Sequence, residues 1–459
     1  MKNEQVVYSK KTNLLEEEPY KYHLVERETP NLFREIFPYD EVPTIPFNHR
    51  TIQMSMPDEI YITDTTFRDG QQSIEPYSVR QMETLFEYLH RLGGENGIIR
   101  QTEFFVYSKK DQEALYKCLE KGYQFPEITT WIRASEKDFE LVKNIGIKET
   151  GVLVSCSDYH IYNKMRMNRG EALEHYSKII HQIIEKGLIP RCHLEDITRA
   201  DLYGFVIPLI SHLKEIADEA NTRIKFRLCD TLGLGIPFTG VVLPRSVPGI
   251  ISGIQHFCNI PSEDLEWHGH NDFYMGTANA VAAWLYGASS INCSLLGIGE
   301  RTGNVPTESM VMQYASLRGT MNGMNPEVIT EIANYYKKEI KYKIPTNTPF
   351  VGRDFNVTRA GIHADGILKD EEIYNIFNTE KILNRPTGVA LNANSGLAGI
   401  VYWYNHHYPE LEPISKADEI ATYMKKWVDE EYEKGRQTAI TDEELERFVK
   451  RYKRHKINK

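Results

Sequence analysis

The stretch Asp64-Thr65-Thr66-Phe67-Arg68-Asp69-Gly70-Gln71-Gln72 sets two carboxylates, a guanidinium and two amides around one glycine, directly after the alternating pair Ile60 and Ile62. A plain turn accounts for any six of these residues taken alone, because Asp and Gly favour tight geometry and Arg and Gln tolerate solvent. His268-Gly269-His270 changes that reading. Side chains at i and i+2 of a strand point to one face, so both imidazoles can reach one cation. A His-x-His alone is weak and needs an oxygen ligand on a neighbouring strand end. Asp69 and Asn304 are the candidates. Two nitrogens, two oxygens and open positions suit a divalent ion that polarises a carbonyl, Mn2+ or Co2+ first and Zn2+ or Mg2+ as alternatives. A closed structural zinc site would use thiolates, and none lies near in sequence.

These residues can meet only if the elements that carry them close into one frame. Short apolar or β-branched runs at 59–64, 98–106, 127–134, 150–157, 189–196, 224–230, 265–272 and 291–297 alternate with longer amphipathic stretches. In one of the latter, Val79, Met82, Leu85, Phe86 and Leu89 share a helix face. Eight strand–helix units predict an α/β fold, a (β/α)8 TIM barrel with parallel strands. An open doubly wound sheet is the alternative, but no Gly-x-Gly-x-x-Gly follows any of the strands. Residues 1–57, charged, tyrosine-rich and punctuated by proline, read as an N-terminal arm or small cap. The barrel takes 58–325, and 326–459 read as a mostly helical C-terminal subdomain whose last helix opens with the capping signature Thr441-x-x-Glu444.

Chemistry in such barrels sits at the C-terminal ends of the strands. Strand by strand, those ends carry Arg68, Asp69 and Gln72; Glu103; Arg133; Ser155, Ser157, Asp158 and His160; Glu195 and Asp196; Asp230 and Thr231; His268, His270, Asn271 and Asp272; and Glu300, Arg301 and Asn304. Turn composition explains some of this, but not a His-x-His and repeated carboxylates at the same end. Composition removes other classes of function. The 459-residue chain has a net charge of −10, so its field repels nucleic acid and acidic membranes. It has no apolar run long enough to span a bilayer and no apolar signal core at its N-terminus, so a cytoplasmic protein is expected. Its six cysteines form no Cys-x-x-Cys pair and are expected to be buried and reduced.

Together, "DTTFRDGQQ", "HGHND" and "GIGERTGN" resemble the metal-dependent barrel superfamily of 2-isopropylmalate, homocitrate, citramalate and Re-citrate synthases, with 3-hydroxy-3-methylglutaryl-CoA lyase as a relative. With "SCSDYHIYNKMRMNRGEAL" and "CHLEDITRADL", the likeness covers about residues 60 to 375. The resemblance implies Asp69, His268 and His270 as metal ligands and Asn304 as a fourth, direct or through water. It implies Arg68 facing the oxygen of a 2-oxo acid, Gln72, Glu103 and Thr231 in contact with substrate, and Glu195 in proton transfer. A salt bridge from Glu195 to Arg199, at i+4, is the bland alternative. In "RAGIHADGILKDEEIYNIF" the resemblance implies His363 as acid/base near the acetyl group and Tyr374 as its partner, in a segment that completes the site, often across a homodimer interface. Eleven residues make about three helical turns, so one helix would place both on one face, although Gly366 weakens that helix and simple packing is the alternative. The implied chemistry is condensation of acetyl-CoA with a metal-bound 2-oxo acid, followed by thioester hydrolysis.

Among the members, the loop Ser157-Asp158-Tyr159-His160-Ile161 lacks the arginine that homocitrate synthases place after strand four, and the loop after strand eight lacks the lyase cysteine. The N-terminal arm with "FPYDEVPTIPF", the "DGQQS" variant and "GRDFNVTRAGIHADG" look most like the Re-citrate branch, which implies oxaloacetate as acceptor. Arg133 or His160 would then hold the distal carboxylate. A homocitrate, 2-isopropylmalate or citramalate-type synthase is the alternative, and a catalytically silent barrel acting as a binding protein is the alternative of another class.

Overall fold

The computed structural model describes residues 6–10, 14–17, 20–48 and 50–457; the other positions of the expected arm lie outside the described residues. The chain divides into two compact units, 1–325 and 326–459.

The first unit opens with a two-stranded antiparallel hairpin, β1 (Val6–Ser9) and β2 (Leu14–Glu17). Eight parallel strands then close into a barrel: β3 (Tyr61–Asp64), β4 (Ile99–Phe104), β5 (Glu127–Arg133), β6 (Glu149–Ser155), β7 (Ile189–Glu195), β8 (Lys225–Asp230), β9 (Leu265–Gly269) and β10 (Ser290–Cys293). β10 pairs with both β9 and β3, which closes the ring and brings Asp69, just beyond β3, near the His-x-His that ends β9. Helices α1 (Val79–Gly93), α2 (Lys109–Glu120), α3 (Glu136–Val142), α4 (Arg169–Glu185), α5 (Ile207–Glu219), α6 (Val247–Cys258), α7 (Gly276–Leu285) and α8 (Thr307–Arg318) follow the strands in turn. The closed ring excludes the open doubly wound sheet.

The strands alternate in a way that decides where the core sits. Outward residues such as Ile62, Ile99, Ile132, Val152, Leu194, Leu228, Trp267 and Ile291 are buried apolar groups. α1 offers Met82, Leu85, Phe86 and Leu89 to that layer, and its start is fixed by a capping box between Ser78 and Gln81. Inward residues are polar: Gln101, Glu103, Glu149, Arg191, His193, Arg227, Glu266, His268 and Asn292, all buried. Most barrels fill this space with branched aliphatics. This one fills it with paired charges.

Residues 20–48 and 50–57 run over the barrel as a strap. Val25 N–H donates to Gly204 O at 2.9 Å, Tyr159 Oη to Leu32 O at 2.7 Å, and Val242 N–H to Pro46 O at 2.9 Å. Ile36 and Phe37 bury themselves against Leu234.

The second unit holds α9 (Glu327–Tyr335), α10 (Gly361–Lys369), α11 (Thr379–Leu383), α12 (Leu397–His407), α13 (Glu419–Glu433) and α14 (Asp442–Ile457). A two-residue parallel ladder pairs β11 (Val357–Thr358) with β12 (Gly388–Val389). Its core is conventional, with Leu391, Ile400, Trp403, Met424, Val428 and Leu445 buried together. Thr441 and Glu444 form the reciprocal cap that starts α14.

Candidate active site and metal centre

At the C-terminal mouth of the barrel, one ligand atom from each of Asp69, His268 and His270 lies within 4.8 Å of the others, the one such cluster of His, Cys, Asp or Glu among the described residues. The two imidazole Nε2 atoms are 3.3 Å apart, and His270 Nε2 lies 3.7 Å from Asp69 Oδ2. Asn292 sets the tautomer of His268. Its Oδ1 sits 2.8 Å from His268 Nδ1, while its Nδ2 donates to Thr63 Oγ1 at 3.0 Å, so Nδ1 carries the proton and Nε2 offers its lone pair. Burial, reinforced by the neighbouring His270, pushes His268 down to about 3, so the imidazole is neutral at physiological pH. Burial pushes the Asp69 carboxyl up, but Arg68, followed by His268 and His270, outweighs it and holds Asp69 at about 2. A carboxylate and two neutral imidazoles are the protonation states a divalent ion requires.

The donor set fits such an ion. Asp69 Oδ2 and Asn304 Oδ1 are buried without a hydrogen-bond partner among the described residues. Asn304 is held beside the cluster by an isolated bridge to His270, and its Nδ2 donates to Ile298 O at 3.2 Å. Gly299 makes this approach feasible: a Cβ there would stand 2.5 Å from Asn304 Nδ2.

A cavity of about 220 Å³ opens over the cluster. Arg68, Asp69, Gln72, Glu195, Thr231, His268 and His270, all expected from sequence, line it. Arg68 is held by Asp69 at 2.8 Å and lies over the Trp131 ring at 4.4 Å from its centroid. Thr231 Oγ1 accepts from the Asp196 N–H at 2.9 Å. Glu195 receives His160 Nδ1 at 2.9 Å, Lys164 Nζ at 3.0 Å and the Ser155 hydroxyl. Burial raises the Glu195 carboxyl, but His160, then Ser155 and Lys164, bring it down to about 2, so it is an anion at physiological pH. The alternative bridge to Arg199 does not form. Arg199 pairs with Asp196 at 2.9 Å.

Three expected substrate contacts are engaged by other residues of the chain. Arg133 does not line the cavity: its guanidinium is clamped in two bonds by Asp138, at 2.7 and 2.9 Å, and the side chain is 62% exposed. His160 does not line it either, because it stands behind Glu195 as that carboxylate's partner. Glu103 lies beneath the floor, 1% exposed, bound to Arg227 at 3.0 Å and 3.8 Å from Arg68. It contacts Arg227 and Arg68, which line the cavity. In the second unit, His363 and Tyr374 do not share a helix, since α10 ends at Lys369. The chain then folds back through a short turn, and the two rings lie tilted by 36° with centroids 4.3 Å apart. Gly366 permits this, as a Cβ there would stand 2.5 Å from the Tyr374 ring.

The sequence reading missed Trp131, His193, Arg227 and Cys229, all of which line the cavity. Inspecting only the last residue or two of each strand hid them. The i−2 positions from Glu195 and Cys229 are His193 and Arg227, and the alternation of the strand would have found both.

A closed parallel barrel that gathers an acid and two neutral imidazoles beside an arginine at its C-terminal mouth defines a class, the divalent-metal (β/α)8 enzymes acting on carbonyl compounds. Residues 59–335 match the family model described as HMGL-like. The chain is 56% identical over 432 residues to the citrate (Re)-synthase of Clostridium kluyveri, covering 94% of this chain and 95% of that protein. It is 52% identical over 435 residues to the citrate (Re)-synthase of Syntrophus aciditrophicus, covering 94% and 69%. Among solved structures, hydroxymethylglutaryl-CoA lyase from Pseudomonas aeruginosa shares the fold, with a TM-score of 0.52 at 18% identity over 65% of this chain and 98% of that one. The chain therefore belongs to the HMGL-like family, a divalent-metal-dependent group of barrels, and within it stands with the citrate (Re)-synthases.

Proposed function

We propose that the protein is an acyltransferase that condenses acetyl-CoA with oxaloacetate and water to give citrate and CoA. The observation that carries this reading is the convergence of Asp69, His268 and His270 beside Arg68, in a chain that aligns over nearly its whole length with citrate (Re)-synthases. A divalent cation held by Asp69, His268, His270 and Asn304, Mn2+ or Co2+ by preference, would polarise the keto group and offset the charge of the acid.

The residues of the chain supply the rest. Arg68, fixed between Asp69 and the Trp131 face, presents its guanidinium where the keto oxygen becomes an alkoxide. Thr231 and Gln72 orient the acid at the mouth. The acetyl methyl gives up a proton, its carbon forms the new bond to the keto carbon, and the alkoxide takes a proton; water then cleaves the thioester and releases the thiol. Glu195, an anion backed by His160 and Lys164, would relay a proton in this scheme, and the adjacent His363–Tyr374 pair would be the acid/base element for the acetyl group. We assign a homodimer in the cytoplasm, whose reducing conditions suit six buried free thiols.

The test is release of CoA thiol by the Mn2+-loaded protein with acetyl-CoA and each of oxaloacetate, 2-oxoglutarate, 2-oxoisovalerate and pyruvate. Oxaloacetate should give the highest kcat/KM, with citrate as product. Preference for another acid would replace the assignment with a different synthase. Absence of both turnover and metal binding would leave a binding protein.

A further inference from the structure

We propose that Arg227 and His193 form a carboxylate subsite at the inner end of the cavity, and that this subsite takes the distal carboxylate of the acceptor acid. The inference rests on the reading of the site as one for a 2-oxo acid, and it replaces Arg133 and His160 in that role.

Both side chains line the cavity and both are buried, Arg227 at 1% exposure and His193 at 2%. They stand opposite each other on adjacent strands, His193 of β7 in register with Arg227 of β8. Each is left with a polar atom to spare. Arg227 spends Nε on Glu266 and Nη1 on Glu103, yet its Nη2 has no hydrogen-bond partner among the described residues. His193 Nε2 lies 3.3 Å from Glu103 Oε1, outside hydrogen-bond geometry, and is likewise unpartnered. Buried polar atoms are nearly always satisfied, so an idle guanidinium N–H beside an idle imidazole nitrogen on one cavity wall calls for a polar partner. The backbone is shaped around them: at Gly151 a Cβ would stand 2.6 Å from His193 Nε2 and 3.0 Å from Glu103 Oε1.

Charge points the same way. Inside the barrel Arg68, Arg191, Lys225 and Arg227 face Asp69, Glu103, Glu149 and Glu266, and Lys164 reaches Glu195 from the rim, so cations and carboxylates match one for one. With a divalent cation in place, a dicarboxylate restores balance in this low-dielectric space, whereas a monocarboxylate leaves one positive charge uncompensated.

Oxaloacetate and 2-oxobutyrate test this directly, because they differ in carrying a carboxylate or a methyl group at the far end. The variants are Arg227→Lys, which keeps the charge that Glu103 and Glu266 need for folding but loses the fork, and His193→Leu. For each, kcat and KM are measured with both acids, and binding of each acid to the Mn2+-loaded protein without acetyl-CoA is followed by calorimetry. Both variants should weaken oxaloacetate binding and raise its KM by about 100-fold, with 2-oxobutyrate changed by no more than about 3-fold. If the preference for oxaloacetate over 2-oxobutyrate stays at the wild-type value in both variants, the subsite is wrong even where the wild type makes citrate. If Arg227→Lys does not fold, His193→Leu decides alone. If wild-type protein turns over no acid, the proposed function fails, and the calorimetric ratio still decides the subsite.

Discussion

Two sets of carboxyl groups in the barrel unit are equally hidden from water and behave in opposite ways. Glu103, Glu149 and Glu266 point into the lumen; Asp64, Asp230 and Glu308 lie outside it, against the helices and loops. Burial pushes all six up. In the lumen, Arg227 then outweighs it at Glu103, holding that group well below the carboxylate range, and Arg191 with Arg227 hold Glu266 at about 2. Outside, the partners are hydroxyls and backbone N–H groups, and burial wins: Asp64 and Asp230 rise to about 6 and Glu308 to about 7. Depth does not decide the protonation state; the partner does. The lumen is therefore a lattice of fixed charges able to orient a charged substrate, whereas the outer carboxyls take up protons well above the usual carboxylate range.

The most severe way to break this contrast is to remove the lumen carboxylate whose proposed partner is the cation. Asp69→Asn keeps the shape and loses the charge, so bound Mn2+ measured by elemental analysis should fall well below one per chain. Turnover should drop by about 1,000-fold or more, several kcal/mol of barrier. Chelator treatment of the wild type should do the same and be reversed by added Mn2+, with the far-UV spectrum unchanged. Full activity after chelation, or in Asp69→Asn, would remove the metal from the chemistry.

Next comes Glu103→Gln. Arg227 and Arg68 both lean on this carboxylate, at 3.0 and 3.8 Å. Leaving buried cations without their partner costs about 3–5 kcal/mol, which urea denaturation would report as a lower midpoint at unchanged slope. A loss under about 1 kcal/mol would mean that the lumen charges are solvated rather than locked.

The contrast sharpens at Glu308, which has no cation. Its folded pKa stands above its ordinary 4.5, at about 7. Stability from this group is therefore full below pH 4.5 and is lost as pH rises through 7, a penalty of about 3 kcal/mol once the group is ionised. Glu308→Gln, which can still accept from the Leu296 N–H, lacks that slope. The difference in unfolding free energy between variant and wild type should grow from pH 5 to pH 8 and then level off. A constant difference would place Glu308 among the low-pKa carboxylates.

The same contrast explains what was readable in advance. All eight strands were visible because the outward face of each carries Ile, Val, Leu, Phe or Trp at period two, and that apolar face must meet helices. The convergence of Asp69, His268 and His270 was visible because the two histidines share a strand face and closure of the ring puts β3 two strands away. The lumen charges were harder. Glu103, His193 and Arg227 read as isolated polar residues in strands, and only closure of the barrel gives them one another as partners. Arg133 misled for the mirror reason: it sits at a strand end, but the Asp138 that captures it lies on the next helix, at i+5. His363 and Tyr374 were paired for the wrong reason, since the chain reverses after Lys369 instead of continuing as a helix.

The smallest expected effect completes the comparison between the two arginines. Arg227 is buried, forked between two glutamates and open to the cavity; Arg133 is mostly in water with one aspartate. Exposed pairs contribute about 0–1 kcal/mol because solvent screens them. Arg133→Ala should leave kcat/KM for oxaloacetate within about 2-fold and shift stability by less than about 1 kcal/mol, a loss confined to the Asp138 clamp and the Tyr107 face it lies over. A large rise in KM for oxaloacetate, with 2-oxobutyrate unaffected, would show Arg133 leaving Asp138 to meet the substrate, and the distal carboxylate would then belong at the mouth of the barrel rather than at its floor.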